Sequence, residues 1–238
     1  MTRDTRTLRA LLLDLDGTLA DTAPDLAAAL NAVRVEEGFG PLSLDEIRGF
    51  VSHGAPQLVR LGFGEDLIEH EFERLRQRLL DHYSQSVCAH TTLFNGFDAL
   101  LHSLEERGQH WGVVTNKPGW LTDPLMAALG LTARAGSVVS GDTLAQRKPH
   151  PAPLLHAAAQ IGVEAEACIY VGDARRDIEA GLAAGMYTVA VRWGYIPPGD
   201  SADEWDAHRV IDEPGELMEL LIDTDSGAAD GLATIPLA

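Results

Sequence analysis

The chain has 238 residues, which suits one large domain or a core carrying a smaller insertion. Its 45% hydrophobic share supports a sizeable core, while 36 Asp+Glu against 18 Lys+Arg give a formal net charge of -18, which opposes nucleic acid and anionic membranes. The polar start MTRDTRTLRA lacks a secretory signal, no run reaches membrane-span length, and Cys88 and Cys168 form no CxxC pair, so a cytoplasmic protein without a zinc site or disulfide framework is expected.

In chain order, LRALLLDL (8–15) predicts a buried strand. Residues 23 to about 90 then carry helical patterns and no convincing strand: PDLAAALNAVRVEEG, SLDEIRGFV and a charged stretch over 65–86. Beyond them, helical spacing around 95–107, 118–129, 150–161 and 175–184 alternates with short apolar runs at 110–115, 136–140, 167–172 and 187–192. This alternation predicts an α/β fold, a Rossmann-like doubly wound parallel sheet with an inserted helical cap. The expected division is a core of 1–18 and 92–223, a helical cap of 19–91 and a disordered Gly-rich tail of 224–238.

The strand ends carry the chemistry. The first strand stops at Asp14, followed by Asp16, Gly17 and Thr18; ACIYVG runs into DARRD, with Asp173 and Asp177. HWGVVT ends in Thr115 and Asn116, and QRKPHP supplies Lys148 before a helix. In a parallel sheet these groups converge on one rim, where ligands bind. Clustered carboxylates there call for a cation, and an all-oxygen donor set suits Mg2+. The metal would screen a phosphate dianion approaching an aspartate nucleophile, and Lys148 would stabilise charge on the phosphoryl oxygens.

With these four segments in order, the sequence resembles the phosphatase branch of the haloacid dehalogenase superfamily, from about residue 8 to 222: DLDGT at 14–18, Thr115 of VVTN, Lys148 of RKPHP, and GDARRD at 172–177. The resemblance implies Asp14 as nucleophile, forming an aspartyl-phosphate, and Asp16 as general acid and then general base. It implies metal ligands Asp14, Asp16 (through its backbone carbonyl) and Asp173, with Asp177 holding the metal or its water. Thr115 and Asn116 would bind phosphoryl oxygens, and Gly17 and Thr18 belong to the same phosphate loop. Asp16 argues against carbon–halogen cleavage, whose enzymes lack the second acid. Thr18 favours hydrolysis over a hexose-phosphate mutase, where valine is common.

The insertion at 19–91 corresponds in position to the family cap that closes over small phosphorylated metabolites. Within it, Ser52, His53 and Gly54 precede a helix start at Pro56 and could face a substrate anion. WGY at 193–195 followed by IPPGD resembles the phosphoglycolate-phosphatase-like group, which also includes enzymes acting on N-acetylmuramic acid 6-phosphate. Simpler readings stand beside these: Asp14 and Asp16 as a turn and a helix cap, Asp173 as an N-cap, His53 as a capping or surface residue, and Asn116 as a turn residue. Arg175 and Arg176 are expected on an exposed helix start, and Trp193 and Tyr195 in loop packing. The expected partner is a small phosphorylated metabolite, with no nucleic acid and no membrane, and the chain a monomer or homodimer. A sugar phosphomutase and a non-enzymatic, partner-binding module of the same fold are the competing functions.

Overall fold

The computed structural model describes residues 5–221 and 233–236. The chain starts with β1 (Thr5–Leu8) and β2 (Ala10–Leu13), then the two-residue β3 (Ala20–Asp21). Four helices follow: α1 (Ala23–Glu36), α2 (Leu44–Arg48), α3 (Gly54–Phe63) and α4 (Glu69–Gln85), with a 3-10 turn Val51–His53 before α3. The chain returns through β4 (Thr92–Leu93). It then alternates α5 (Phe97–Glu106), β5 (His110–Val114), α6 (Gly119–Ala128), β6 (Ser137–Val139), α7 (Ala152–Ile161), β7 (Cys168–Gly172), α8 (Arg175–Ala183) and β8 (Tyr187–Val191). β9 (Arg209–Ile211), α9 (Glu216–Leu221) and β10 (Ala233–Pro236) complete the described elements.

Six strands form one parallel sheet in the order β6-β5-β2-β7-β8-β9. The buried strands are apolar on both faces, as parallel strands covered by helices must be. Along β2, Ala10 and Leu12 face Leu154, Ala157 and Ile161 of α7, with Val114 and Tyr170 beside them. Leu11 and Leu13 join the opposite cluster, which runs on through Leu26, Leu30, Leu58, Leu75, Leu79 and Tyr83 of the helical segment. The sheet core and the helices after β3 therefore share one continuous apolar interior.

Sequence and structure differ at the edges. The expected strand 8–15 is split: β2 enters the main sheet, whereas β1 pairs antiparallel with β10. The expected disordered tail over 224–238 lies outside the described residues except at 233–236, which form that β10 strand. β3 and β4 pair antiparallel, with Ala20 opposite Leu93 and Asp21 opposite Thr92. Two-residue strands are too short to show a period of two, which is why no pattern revealed them. Near this pair, buried Asp25 of α1 accepts hydrogen bonds from His90 N (3.0 Å), Thr91 N (2.9 Å) and Thr91 Oγ1 (2.7 Å), tying the end of the helical segment to its start.

Helix α8 lies close on the sheet at Gly181, where a Cβ would come 2.4 Å from Thr188 Cγ2 and 3.5 Å from Tyr170 Cβ. Helix propensity alone favours alanine there by about 1 kcal/mol. Packing opposes it and is the larger effect: Gly181→Ala is expected to destabilise the fold by roughly 1–3 kcal/mol. Urea unfolding followed by far-UV circular dichroism reads the sign, and a stabilised variant contradicts this account of the contact.

Candidate active site

Because β2, β5 and β7 are parallel neighbours, the residues that follow them emerge at one edge: Asp14 after β2, Thr115 after β5 and Asp173 after β7. Asp14 N still donates to Val171 O at 2.9 Å, so the ladder fixes its backbone. Asp177 arrives from the first turn of α8, where its Oδ2 accepts from Ala174 N at 3.0 Å. Lys148 comes from the loop between β6 and α7, and Asn116 brackets it: Asn116 Nδ2 donates to Lys148 O and Lys148 N donates to Asn116 Oδ1, each at 3.0 Å.

Lys148 Nζ is the hub, 2.8 Å from Asp14 Oδ1 and 2.7 Å from Asp177 Oδ1. It also donates to Val114 O and to Tyr170 Oη, each at 2.8 Å. Asp14, Lys148, Asp173 and Asp177 are 4%, 2%, 1% and 0% exposed, so these charges have exchanged water for one another. One oxygen each from Asp14, Asp173 and Asp177 lie within 4.8 Å of one another. The negative charge is in surplus. Burial pushes the Asp14 carboxyl up to about 7, Lys148 opposes the rise, and Asp177 and Asp173 add to it. Burial also raises Asp173, with Asp177 adding to it, against hydrogen bonds from Ser52 and Tyr195. A dry group of carboxylates with excess negative charge and no His or Cys donor fits a hard divalent cation.

Asp16 stands apart from that group. Its Oδ1 accepts from Thr22 Oγ1 at 2.6 Å and from Lys117 Nζ at 2.8 Å. Lys117 in turn sits 4.5 Å from the ring centroid of Tyr83 on α4. Two acids separated by one residue thus occupy two environments: Asp14 joins the buried carboxylates, and Asp16 is held beside the helical segment.

The other expected site residues gather around Asp173 and Lys148. Gly17 has φ +83°, and a Cβ there would fall 2.2 Å from Asp173 Oδ2. Thr18 Oγ1 donates to Asp173 Oδ1 at 3.2 Å, and Ser52 Oγ donates to Asp173 Oδ2 at 2.7 Å. Thr115 is buried and its Oγ1 accepts from Lys117 N at 3.2 Å. The Thr18, Ser52 and Asn116 side chains therefore bond protein groups. His53 is exposed and lines the mouth of a cavity of about 320 Å3 with Asp173, Arg176, Tyr195 and Trp205. Burial and then Arg176 hold its imidazole below the usual histidine range. Gly54, at φ +75°, turns the chain into α3.

Several participants were not expected from the sequence. Arg176 was placed with Arg175 on an exposed helix start; only Arg175 is exposed, while Arg176 Nη2 donates to Ser52 O at 2.7 Å. Adjacent residues on a helix point about 100° apart, so the pair divides between solvent and site. Tyr195 does pack its loop, and it does more: its N donates to Asp173 Oδ2 at 2.8 Å and its Oη to Asp21 Oδ1 at 2.8 Å. Lys117 could have been found, because it directly follows the strand-end Thr115-Asn116 on a rim already recognised as acidic. Tyr170 is an interior strand residue and gave no such signal.

Comparison with known proteins gives the family. The sequence profile of the haloacid dehalogenase-like hydrolases matches residues 11–191. The chain is 42% identical over 214 residues to the N-acetylmuramic acid 6-phosphate phosphatase of Pseudomonas aeruginosa, covering 90% of this chain and 95% of that protein. It is 43% identical over 211 residues to the phosphoglycolate phosphatase of Xanthomonas campestris pv. campestris, covering 89% and 95%. The crystal structure of a predicted phosphoglycolate phosphatase from Haemophilus somnus superposes with a TM-score of 0.79 at 25% identity, over 89% of this chain and 97% of that one. A profile match over residues 11–191 and relatives aligned over nearly their full length assign the chain: it belongs to the haloacid dehalogenase-like hydrolase family.

Proposed function

We propose that the protein is a magnesium-dependent phosphomonoester hydrolase that works through an aspartyl-phosphate on Asp14, with phosphoglycolate as the leading substrate. The observation that carries this reading is the separation of the two acids of DLDGT. Asp14 is buried 2.8 Å from Lys148, while Asp16 lies outside the group of three carboxylates. Hydrolysis in two steps needs a nucleophile that stays charged and a separate group that moves protons.

Asp14, Asp173 and Asp177, with the backbone carbonyl of Asp16, would hold the Mg2+. Bound there, the cation would neutralise the surplus charge and polarise the phosphoryl oxygens. Lys148, fixed by Asp14, Asp177 and Val114 O, holds the nucleophile in place and faces the charge that develops on the phosphoryl group. Asp14 attacks phosphorus, and Asp16 gives its proton to the leaving alcohol. Asp16 then takes a proton from the water that hydrolyses the aspartyl-phosphate. Lys117 and Thr22 hold Asp16 at the cleft for both tasks. Residues 19–91 serve as a cap over this site, with Ser52, His53 and Gly54 on the side that meets the core; a cap of this kind excludes water and bulky substrates. Cytoplasmic location fits this chemistry, and among the described residues no helix is long and apolar enough to cross a membrane.

A second substrate has a specific observation in its favour. The relatives named for N-acetylmuramic acid 6-phosphate and for phosphoglycolate are 42% and 43% identical to this chain, so overall similarity does not choose between them. Both compounds are phosphate esters that carry a carboxylate.

Phosphate release from p-nitrophenyl phosphate is expected to require Mg2+. It should fall by roughly four orders of magnitude or more in Asp14→Asn, and by roughly 10²–10⁴ in Asp16→Asn. Wild-type protein inactive on every phosphoester with Mg2+ present rules the enzyme reading out. A panel measuring kcat/KM on phosphoglycolate and N-acetylmuramic acid 6-phosphate decides the substrate, with phosphoglycolate expected to be preferred. A third experiment follows from the raised Asp14 carboxyl. Between about pH 4 and pH 7 the metal-free folded protein keeps a proton that the unfolded chain releases, so its stability falls as pH rises through that window. Without metal, Asp14→Asn should therefore melt higher than wild type at pH 7.5, by on the order of 5 °C. The gain should vanish near pH 4 and reverse in saturating Mg2+; scanning calorimetry at the two pH values checks the sign.

A further inference from the structure

Asp173 is held from three directions. Thr18 Oγ1 donates to its Oδ1 at 3.2 Å, and Tyr195 N donates to its Oδ2 at 2.8 Å. Gly17 and Gly194 close the space around it, since a Cβ on either would come within 2.2 Å of Asp173 atoms. Those contacts all belong to the sheet layer and its loops. The third donor does not: Ser52 Oγ reaches Asp173 Oδ2 at 2.7 Å from the 3-10 turn between α2 and α3. Ser52 is itself fixed from the other side, because Arg176 Nη2 donates to its carbonyl at 2.7 Å. Arg176 follows Asp173 by three residues, so one strand-end loop grips the helical segment through both the side chain and the main chain of one serine.

We propose that Ser52 is a positioning residue for the metal-binding carboxylate Asp173, and that docking of the helical segment and metal binding therefore reinforce each other. This inference rests on the metal-dependent reading above. A carboxylate that presents one oxygen to a cation must have the other fixed, and outer hydrogen-bond partners of that kind typically change metal affinity by about 10–100-fold. Here one of the two donors to Oδ2 is supplied by the sheet layer and the other by the helical segment. When the helical segment undocks, Asp173 loses the Ser52 hydrogen bond and the ligand is less ordered. Linkage then requires the converse: bound metal, by ordering Asp173, favours the docked arrangement. The Ser52 hydroxyl thus acts on the ligand and does not need to touch the substrate.

The test measures binding directly. Mn2+ binding followed by electron paramagnetic resonance, and Mg2+ binding followed by calorimetry, are compared for wild type, Ser52→Ala and Ser52→Thr. Ser52→Ala is expected to bind both ions about 10-fold more weakly, and Ser52→Thr, which keeps the hydroxyl, to recover most of the loss. Hydrogen exchange of amides 51–63 adds a readout that a merely local packing role would not move. Mg2+ should slow exchange there in wild type and leave it unchanged in Ser52→Ala. Equal affinity of wild type and Ser52→Ala overturns the role of Ser52 and leaves the metal centre standing. Failure of the wild type to bind either ion overturns both.

Discussion

The ammonium of Lys148, buried between Asp14 and Asp177, allows a group of carboxylates to share the rim of a single sheet. Without it the carboxylates would face one another in a dry pocket, and the cheapest response would be for one to take up a proton. Even with it, Asp14 is held up to about 7. Three carboxylates against one ammonium leave the group with surplus negative charge, and that surplus is what makes it receptive to a cation. The supporting contacts are arranged to keep this lysine still: Asn116 clamps its main chain, and Val114 O and Tyr170 Oη share its third N–H.

The topology supplies the rest. With β2 between β5 and β7, Asp14, Thr115 and Asp173 come from three adjacent strands. Their separation is set by strand spacing rather than by flexible loops, so the geometry is fixed before any ligand arrives. The residues that depart from this rule, Lys148 and Asp177, enter from a loop and a helix start, and both are tied back to the strands by hydrogen bonds or ion pairs.

Much of this was legible in the sequence because parallel buried strands read as short apolar runs that stop abruptly at polar residues. The runs ending at Asp14, Thr115 and Asp173 showed both the sheet and its rim. Contacts that depend on nonlocal packing were not legible. Arg176 looks like Arg175 until the helix is placed, and Ser52 looks like a substrate contact until the 3-10 turn is set against Asp173. Tyr170 reads only as core, yet its hydroxyl reaches the lysine. The β3–β4 pair was missed for a simpler reason: two residues carry no period. Where a side chain's role follows from its own strand, the sequence pattern suffices; where it depends on an element 100 residues away, it does not.

That short β3–β4 pair has a wider meaning. The chain leaves the sheet layer at Ala20–Asp21 and comes back beside it at Thr92–Leu93, with Asp25 fastening the returning segment to the departing helix. The ends of the helical segment are therefore neighbours, so lengthening or replacing what lies between them adds little loop-closure cost and leaves the order β5-β2-β7 unchanged. The helical layer can thus be remodelled while the sheet layer and its carboxylates stay as they are, much as a lock can be rekeyed without moving the bolt.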